Sequence, residues 1–222
     1  MNGVAVIGSG IAGTLAALHL HDLRPDLDIT VFSKGALGDG ASSLAQGGIA
    51  LPRLDIDGDL EQHVHDTIAA GRGLNDEAVV REIISEAPRL VATLEHYGIR
   101  FDREDDGYHY SREGGHHIAR VIHATDATGA TIMQQLHAQL RGCANITVAE
   151  HSAITQIRPS SDVHGPVHDG RWTLDAGRWT TIILAMGGSG QRYRYTSNPP
   201  GATGDALLIA EHLGLPVRDL EW

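Results

Sequence analysis

The stretch Val4-Ala5-Val6-Ile7-Gly8-Ser9-Gly10-Ile11-Ala12-Gly13 decides the fold. Its opening apolar run is rich in β-branched residues and reads as a buried strand, which passes at once into Gly-x-Gly-x-x-Gly. From position 14 to 23, Leu15, Leu18, Leu20 and Leu23 recur at helical spacing, with Ala16 and Ala17 filling the same face. A second strand, Ile29-Thr30-Val31-Phe32, closes a βαβ unit. In that setting each glycine has a task. Gly8 permits the tight turn, Gly10 lets backbone approach a pyrophosphate, and Gly13 lets the helix lie close to the sheet. The helix start presents free N–H groups and roughly half a positive charge to phosphates. The expectation is a Rossmann-like α/β fold with a central parallel sheet. A dinucleotide should be held at Gly8, Ser9, Gly10, Ile11, Ala12 and Gly13.

The same fingerprint asks for an acid at the end of the second strand, where it would bind ribose hydroxyls. Ser33-Lys34 stands there instead. Ser33 can still hydrogen-bond a ribose and Lys34 can sit near a phosphate, but the NAD signal is absent.

Composition bounds the rest. A 222-residue chain can bury roughly 70% of the surface its unfolded form exposes, enough for one large domain or two small ones. The formal charge of -11 argues against nucleic acid, because phosphate binding wants a basic face. One cysteine, Cys143, rules out an internal disulfide framework and fits a reducing compartment. It reads as a small residue after a helix. The apolar runs fall short of the ~20 residues of a membrane span, and the start carries no basic leader. No membrane partner and a cytoplasmic location are therefore expected.

After Lys34 the chain runs Gly35-Ala36-Leu37-Gly38-Asp39-Gly40-Ala41-Ser42-Ser43-Leu44-Ala45-Gln46-Gly47-Gly48. On its residues alone this is either a flexible Gly/Ser loop or backbone laid flat beside a planar ligand. It resembles the loop of the succinate dehydrogenase/fumarate reductase/L-aspartate oxidase flavoproteins that runs along FAD. The resemblance implies FAD contacts at Ser42, Ser43, Leu44, Ala45, Gln46, Gly47 and Gly48. It also accounts for Ser33-Lys34, since these flavoproteins tend to lack the ribose acid. Members that attach flavin covalently carry a histidine at the position of Ala41, so noncovalent FAD is expected here.

A second block is Ser111-Arg112-Glu113-Gly114-Gly115-His116-His117, continuing to Arg120 and His123-Ala124-Thr125-Asp126-Ala127-Thr128-Gly129. It is similar to the signature of the L-aspartate oxidase branch. Read by itself, Glu113 is a solvated loop charge. By resemblance it recognises a substrate's amino group, and an ammonium in a partly dry site does want a carboxylate. Asp126 is read as a cap of the helix that follows. His63-x-His65 and His116-His117 lack a cysteine or carboxylate array at zinc spacing, so no metal is expected.

Thr180-Thr181-Ile182-Ile183-Leu184-Ala185-Met186-Gly187-Gly188 reads as a further strand and turn, with Met186 where the family has Thr. The segment ending Thr203-Gly204-Asp205-Ala206 leads into a helix. It resembles the family's Gly-Asp-Gly, which gives Asp205 an FAD contact by resemblance. Residues 61–70 and 77–96 read as helices, the second capped near Asn75 and interrupted by Pro88. Residues 145–157 are strand-rich, and 165–170 form a turn between strands.

The resemblance implies that residues 1–222 are the amino-terminal, three-layer FAD-binding domain. In relatives a capping domain follows, and the catalytic arginine lies beyond residue 222. It further implies oxidation of L-aspartate to iminoaspartate with FAD as hydride acceptor and oxygen or fumarate as reoxidant. That is the first step toward NAD, with quinolinate synthase downstream. The rival enzyme is a soluble fumarate reductase or succinate dehydrogenase flavoprotein, against which Glu113 and Ala41 speak. The other rival is an FAD-binding fragment without catalysis.

Overall fold

A computed structural model describes residues 3–105, 107–158, 165–167 and 171–217. In chain order, the βαβ unit comes first: β1 (Gly3–Ile7), α1 (Ile11–Leu23) and β2 (Asp28–Phe32). A short helix α2 (Ala41–Leu44) and strand β3 (Ile49–Ala50) precede two longer helices, α3 (Asp59–Ala70) and α4 (Glu77–His96). Four short strands follow, β4 (Arg103–Glu104), β5 (Gly107–Tyr108), β6 (Tyr110–Ser111) and β7 (Val121–Ile122). Helix α5 (Thr128–Gly142) leads to β8 (Ile146–Ala149) and β9 (Ala153–Arg158). Last come β10 (Gly165–Val167), β11 (Arg171–Asp175), β12 (Thr181–Leu184) and α6 (Asp205–His212). The chain divides into two compact units, residues 1–44 with 136–222, and residues 45–135.

The first unit is built on a wholly parallel sheet in the order β12-β1-β2-β8. Strand alternation sends its residues to opposite faces. Ala5, Ile7 and Phe32 point one way, into a core with Ile154, Leu174 and Ile209 from β9, β11 and α6. Val4, Val6, Ile29 and Val31 point the other way and are also buried. Both faces are therefore covered, which is why β1 and β2 read as nearly continuous apolar runs. Gly13, Thr14, Ala17 and Leu18 are the buried residues of α1 in the helical layer, and a small sheet in the order β10-β11-β9 lies in the third.

The second unit pairs α3 with α4 beside a three-stranded sheet in the order β3-β7-β6. Two readings of α4 need correction. Its N-cap is Asp76, whose carboxylate accepts from the N–H groups of Ala78 and Val79, and not Asn75. Pro88 does not interrupt it. Ile84, Val91 and Leu94 lie on one buried stripe around the proline, and that burial outweighs one missing hydrogen bond. Asp126 is exposed and makes none of the described hydrogen bonds. The Thr128 hydroxyl instead accepts from Ala124 N–H at the start of α5. Helix α1 starts at Ile11, three residues ahead of the apolar periodicity, so Gly13 is inside it. Of the expected 165–170 turn, residues 165–167 are instead strand β10, held by antiparallel pairing with β11, and 168–170 lie outside the described residues. No described helix is long and apolar enough to cross a membrane.

Candidate functional site

Open α/β sheets offer ligands the crevice at the carboxyl ends of their strands. In the first unit that edge gathers the turn after β1, Ser33-Lys34 after β2, and Ala185 to Gly188 after β12. The turn is tight because of its glycines. Gly8 has φ +116, and a β-carbon on it would stand 2.1 Å from Ala185 O. A β-carbon on Gly13 would meet Gly8 O at 2.0 Å. Gly10 is the N-cap of α1 with extended backbone, and its missing β-carbon would face only the Ser42 hydroxyl, at 3.2 Å. That hydroxyl accepts from Ile11 N–H at 3.1 Å, while Thr14 N–H donates to Gly10 O. Helix geometry leaves the N–H groups of Ala12 and Gly13 without an intrahelical acceptor, as an anion requires.

The side chains around the turn are knitted together. Ser9 Oγ lies 2.7 Å from the buried Ser33 Oγ. Ser9 O accepts from Thr14 Oγ1 at 3.1 Å and lies 3.0 Å from Nε2 of His137, a buried residue of α5. Lys34 Nζ donates to Thr203 Oγ1 at 2.6 Å and Asp205 Oδ2 at 2.8 Å, tying the end of β2 to the start of α6. Sequence reasoning placed Lys34 and Asp205 separately; the fold makes them a pair. It did not find His137 at all, because nothing in the local pattern of α5 announces a partner 128 residues away. The edge thus has a tight turn without side chains, a helix start with free donors, and hydroxyls beside it. Those features fit the pyrophosphate and ribose of a dinucleotide.

In the second unit, Ala45, Gln46 and Gly47 are exposed. Ala45 O accepts from Gly129 N–H at 2.9 Å, which joins the Ala-Gln-Gly-Gly and Asp-Ala-Thr-Gly segments directly. Gly48 is required by packing, since a β-carbon there would stand 2.1 Å from Ile122 O. Thr125 takes φ +61, an uncommon conformation for a β-branched residue, with its hydroxyl 2.9 Å from that of Thr131. Glu113 lies in the turn between β6 and β7. It is about half exposed, with Oε1 3.5 Å from His123 Nε2.

The largest feature that sequence reasoning missed is a buried charge cluster. Arg120 is fully buried, with Nη2 3.0 Å from Asp59 Oδ1 and 3.5 Å from Asp66 Oδ2. Asp59 also accepts from Arg53 N–H at 2.7 Å. Asp66 accepts from Gln62 Nε2 at 2.9 Å, from His117 N–H at 3.1 Å, and contacts the His117 ring. Burial pushes the Asp66 carboxyl up, but the donors from Gln62 and His117 outweigh it and hold its pKa at about 2. His63 packs edge-on against His116, and burial first, then Arg120 and His116, lowers its pKa to about 4. His116 is lowered by burial and by Arg120. A signal was present: Asp59, His63 and Asp66 fall at i, i+4 and i+7, one face of a helix. Among the described residues no group of three or more His, Cys, Asp or Glu side chains is arranged to hold a metal ion.

Comparison with known proteins gives the geometry a context. The sequence pattern of the family described as FAD binding domain matches residues 3–222. L-aspartate oxidase 1 of Ralstonia nicotianae is 40% identical, over 99% of this chain and 43% of that protein. L-aspartate oxidase of Neisseria meningitidis is 39% identical, with the same coverage of both. Among solved structures, a mutant quinol fumarate reductase FrdA of E. coli superposes with a TM-score of 0.85 at 29% identity, over 100% of this chain and 39% of that one. The chain thus spans about two-fifths of the length of these relatives.

Proposed function

Because the chain belongs to the family of FAD-binding domains, with FAD as its cofactor, we propose that it is the FAD-binding portion of an L-aspartate-oxidising enzyme. Bound FAD supplies a hydride acceptor. The chain's own residues hold and orient. Gly8 to Gly13, with the free N–H groups of Ala12 and Gly13, take the pyrophosphate, and Ser9 and Ser33 present hydroxyls to the ribose side. Lys34 and Asp205 act there as one ion pair, and Ser42 to Gly48 run along the cofactor. With alanine at position 41, nothing at that place can bond covalently to flavin.

Glu113 carries the choice of substrate. It is a carboxylate in a Gly-Gly turn, half exposed, whose one ion-pair partner among the described residues is His123 at 3.5 Å, and so has charge to spare for an ammonium. Similarity to L-aspartate oxidases across 99% of the chain supports this reading over a plain dicarboxylate reductase. The product would be iminoaspartate, oxygen or fumarate the reoxidant, and quinolinate synthase the consumer on a route to NAD. The test is Glu113→Gln in the enzyme that carries this chain. Loss of roughly 2–4 kcal/mol in kcat/KM for L-aspartate, with fumarate reduction largely spared, is expected. Equal loss on both substrates refutes the role.

A further inference from the structure

We propose that Asp66 is a positioning residue for Glu113, acting through His117, with Arg120 as its buried counter-charge. The inference rests on the reading of Glu113 as the amino-group receptor, and it concerns what keeps that carboxylate in place. Glu113 sits in the turn from Arg112 to Arg120. At its base, Arg120 N–H donates to Ser111 O at 3.1 Å. Within the turn, Arg112 Nε donates to His116 O at 3.0 Å and His116 N–H to Glu113 O at 3.3 Å. Gly114 and Gly115 have open space where a β-carbon would stand, and Gly115 has φ +87. The middle of the turn therefore has little packing to hold it.

The tie to α3 is His117. Its N–H donates to Asp66 Oδ2 at 3.1 Å and its ring Nδ1 meets Asp66 Oδ1, although the His117 side chain itself is mostly exposed. Asp66 cannot wander, because its side chain is 1% exposed and is fixed by Gln62 and Arg120. Burying two carboxylates and a guanidinium is a poor way to stabilise a fold, since apolar residues of the same volume do as well or better. What such a cluster supplies is a rigid acceptor in a defined place. A carboxylate that selects an ammonium needs its turn held to within about 0.5 Å, and Asp66 is the buried point from which this turn hangs.

The test pairs Asp66→Asn with His117→Ala, which removes the ring contact to Asp66 and keeps the N–H bond. Hydrogen exchange on the FAD-loaded chain reads the turn, and steady-state kinetics of the enzyme that carries it read specificity. Exchange at residues 114–117 should accelerate on the order of tenfold in Asp66→Asn, as expected for the loss of a charge-assisted hydrogen bond, and by a smaller factor in His117→Ala, while α4 amides stay unchanged. KM for L-aspartate should rise by a similar factor, with KM for fumarate little altered. Unchanged exchange in Asp66→Asn, or in His117→Ala where Asp66→Asn does not fold, overturns the proposal whatever Glu113 does. Faster exchange with equal effects on both substrates leaves the anchor standing but overturns its link to specificity, while the Glu113 reading stands or falls on Glu113→Gln.

Discussion

A β-carbon on Gly13 would stand 2.0 Å from the carbonyl oxygen of Gly8, so the third glycine of the turn exists to let α1 rest on the first. Gly13→Ala must therefore push backbone against backbone. We expect a loss of about 1–3 kcal/mol in urea unfolding together with failure to load FAD. Gly10→Ala should separate the two effects. Its β-carbon meets only the Ser42 hydroxyl at 3.2 Å, so stability should change by less than about 1 kcal/mol while flavin affinity falls. Fluorescence titration with FAD beside a urea melt checks both. Normal flavin loading by both variants would refute the assignment of this turn.

His137 should matter to the cofactor through Ser9. A ring nitrogen facing a carbonyl oxygen at 3.0 Å has to be the donor, which fixes Nε2 as protonated. His137→Leu leaves Ser9 O to Thr14 alone and should weaken FAD binding on the order of tenfold. His137→Gln keeps an amide donor and should recover much of that loss. Equal affinities for the Leu and Gln variants would show that the bond plays no part.

His63 makes the fold acid-sensitive. Its native pKa of about 4 lies below the ordinary histidine value, so below pH 6.5 the unfolded chain binds a proton that the folded chain refuses. Stability should then fall as pH drops from about 6.5 to about 4, by roughly 2–3 kcal/mol from this group alone. Asp66, held at about 2, adds its own loss only further down, as pH falls from about 4 toward 2. In His63→Gln the first slope should flatten while the second remains. Urea midpoints at pH 7, 5 and 4 measure it, and an unaltered slope between pH 6.5 and 4 would contradict the assignment.

FAD should leave the protein without breaking a bond. Acid precipitation of the loaded chain is expected to release yellow flavin into the supernatant, because Ala41 offers no nucleophile. Flavin retained in the pellet would show a covalent link elsewhere.

The sequence by itself determined the βαβ unit. Four buried residues in β1, glycines where φ is positive or backbones nearly touch, and an apolar stripe on α1 are local requirements, visible within thirty residues. It also displayed the segments that match L-aspartate oxidases, and the family comparison agrees with that reading. Local rules read the cap of α4 one residue early, and they took Pro88 for a break although burial of Ile84, Val91 and Leu94, a tertiary quantity, carries the helix through it. The pairings were beyond any local rule. Lys34 with Asp205, His137 with Ser9, and Arg120 with Asp59 and Asp66 each join residues far apart in the chain. A charged or polar side chain declares what it is in the sequence, but its partner, its burial and hence its proton affinity follow only from where the fold carries both.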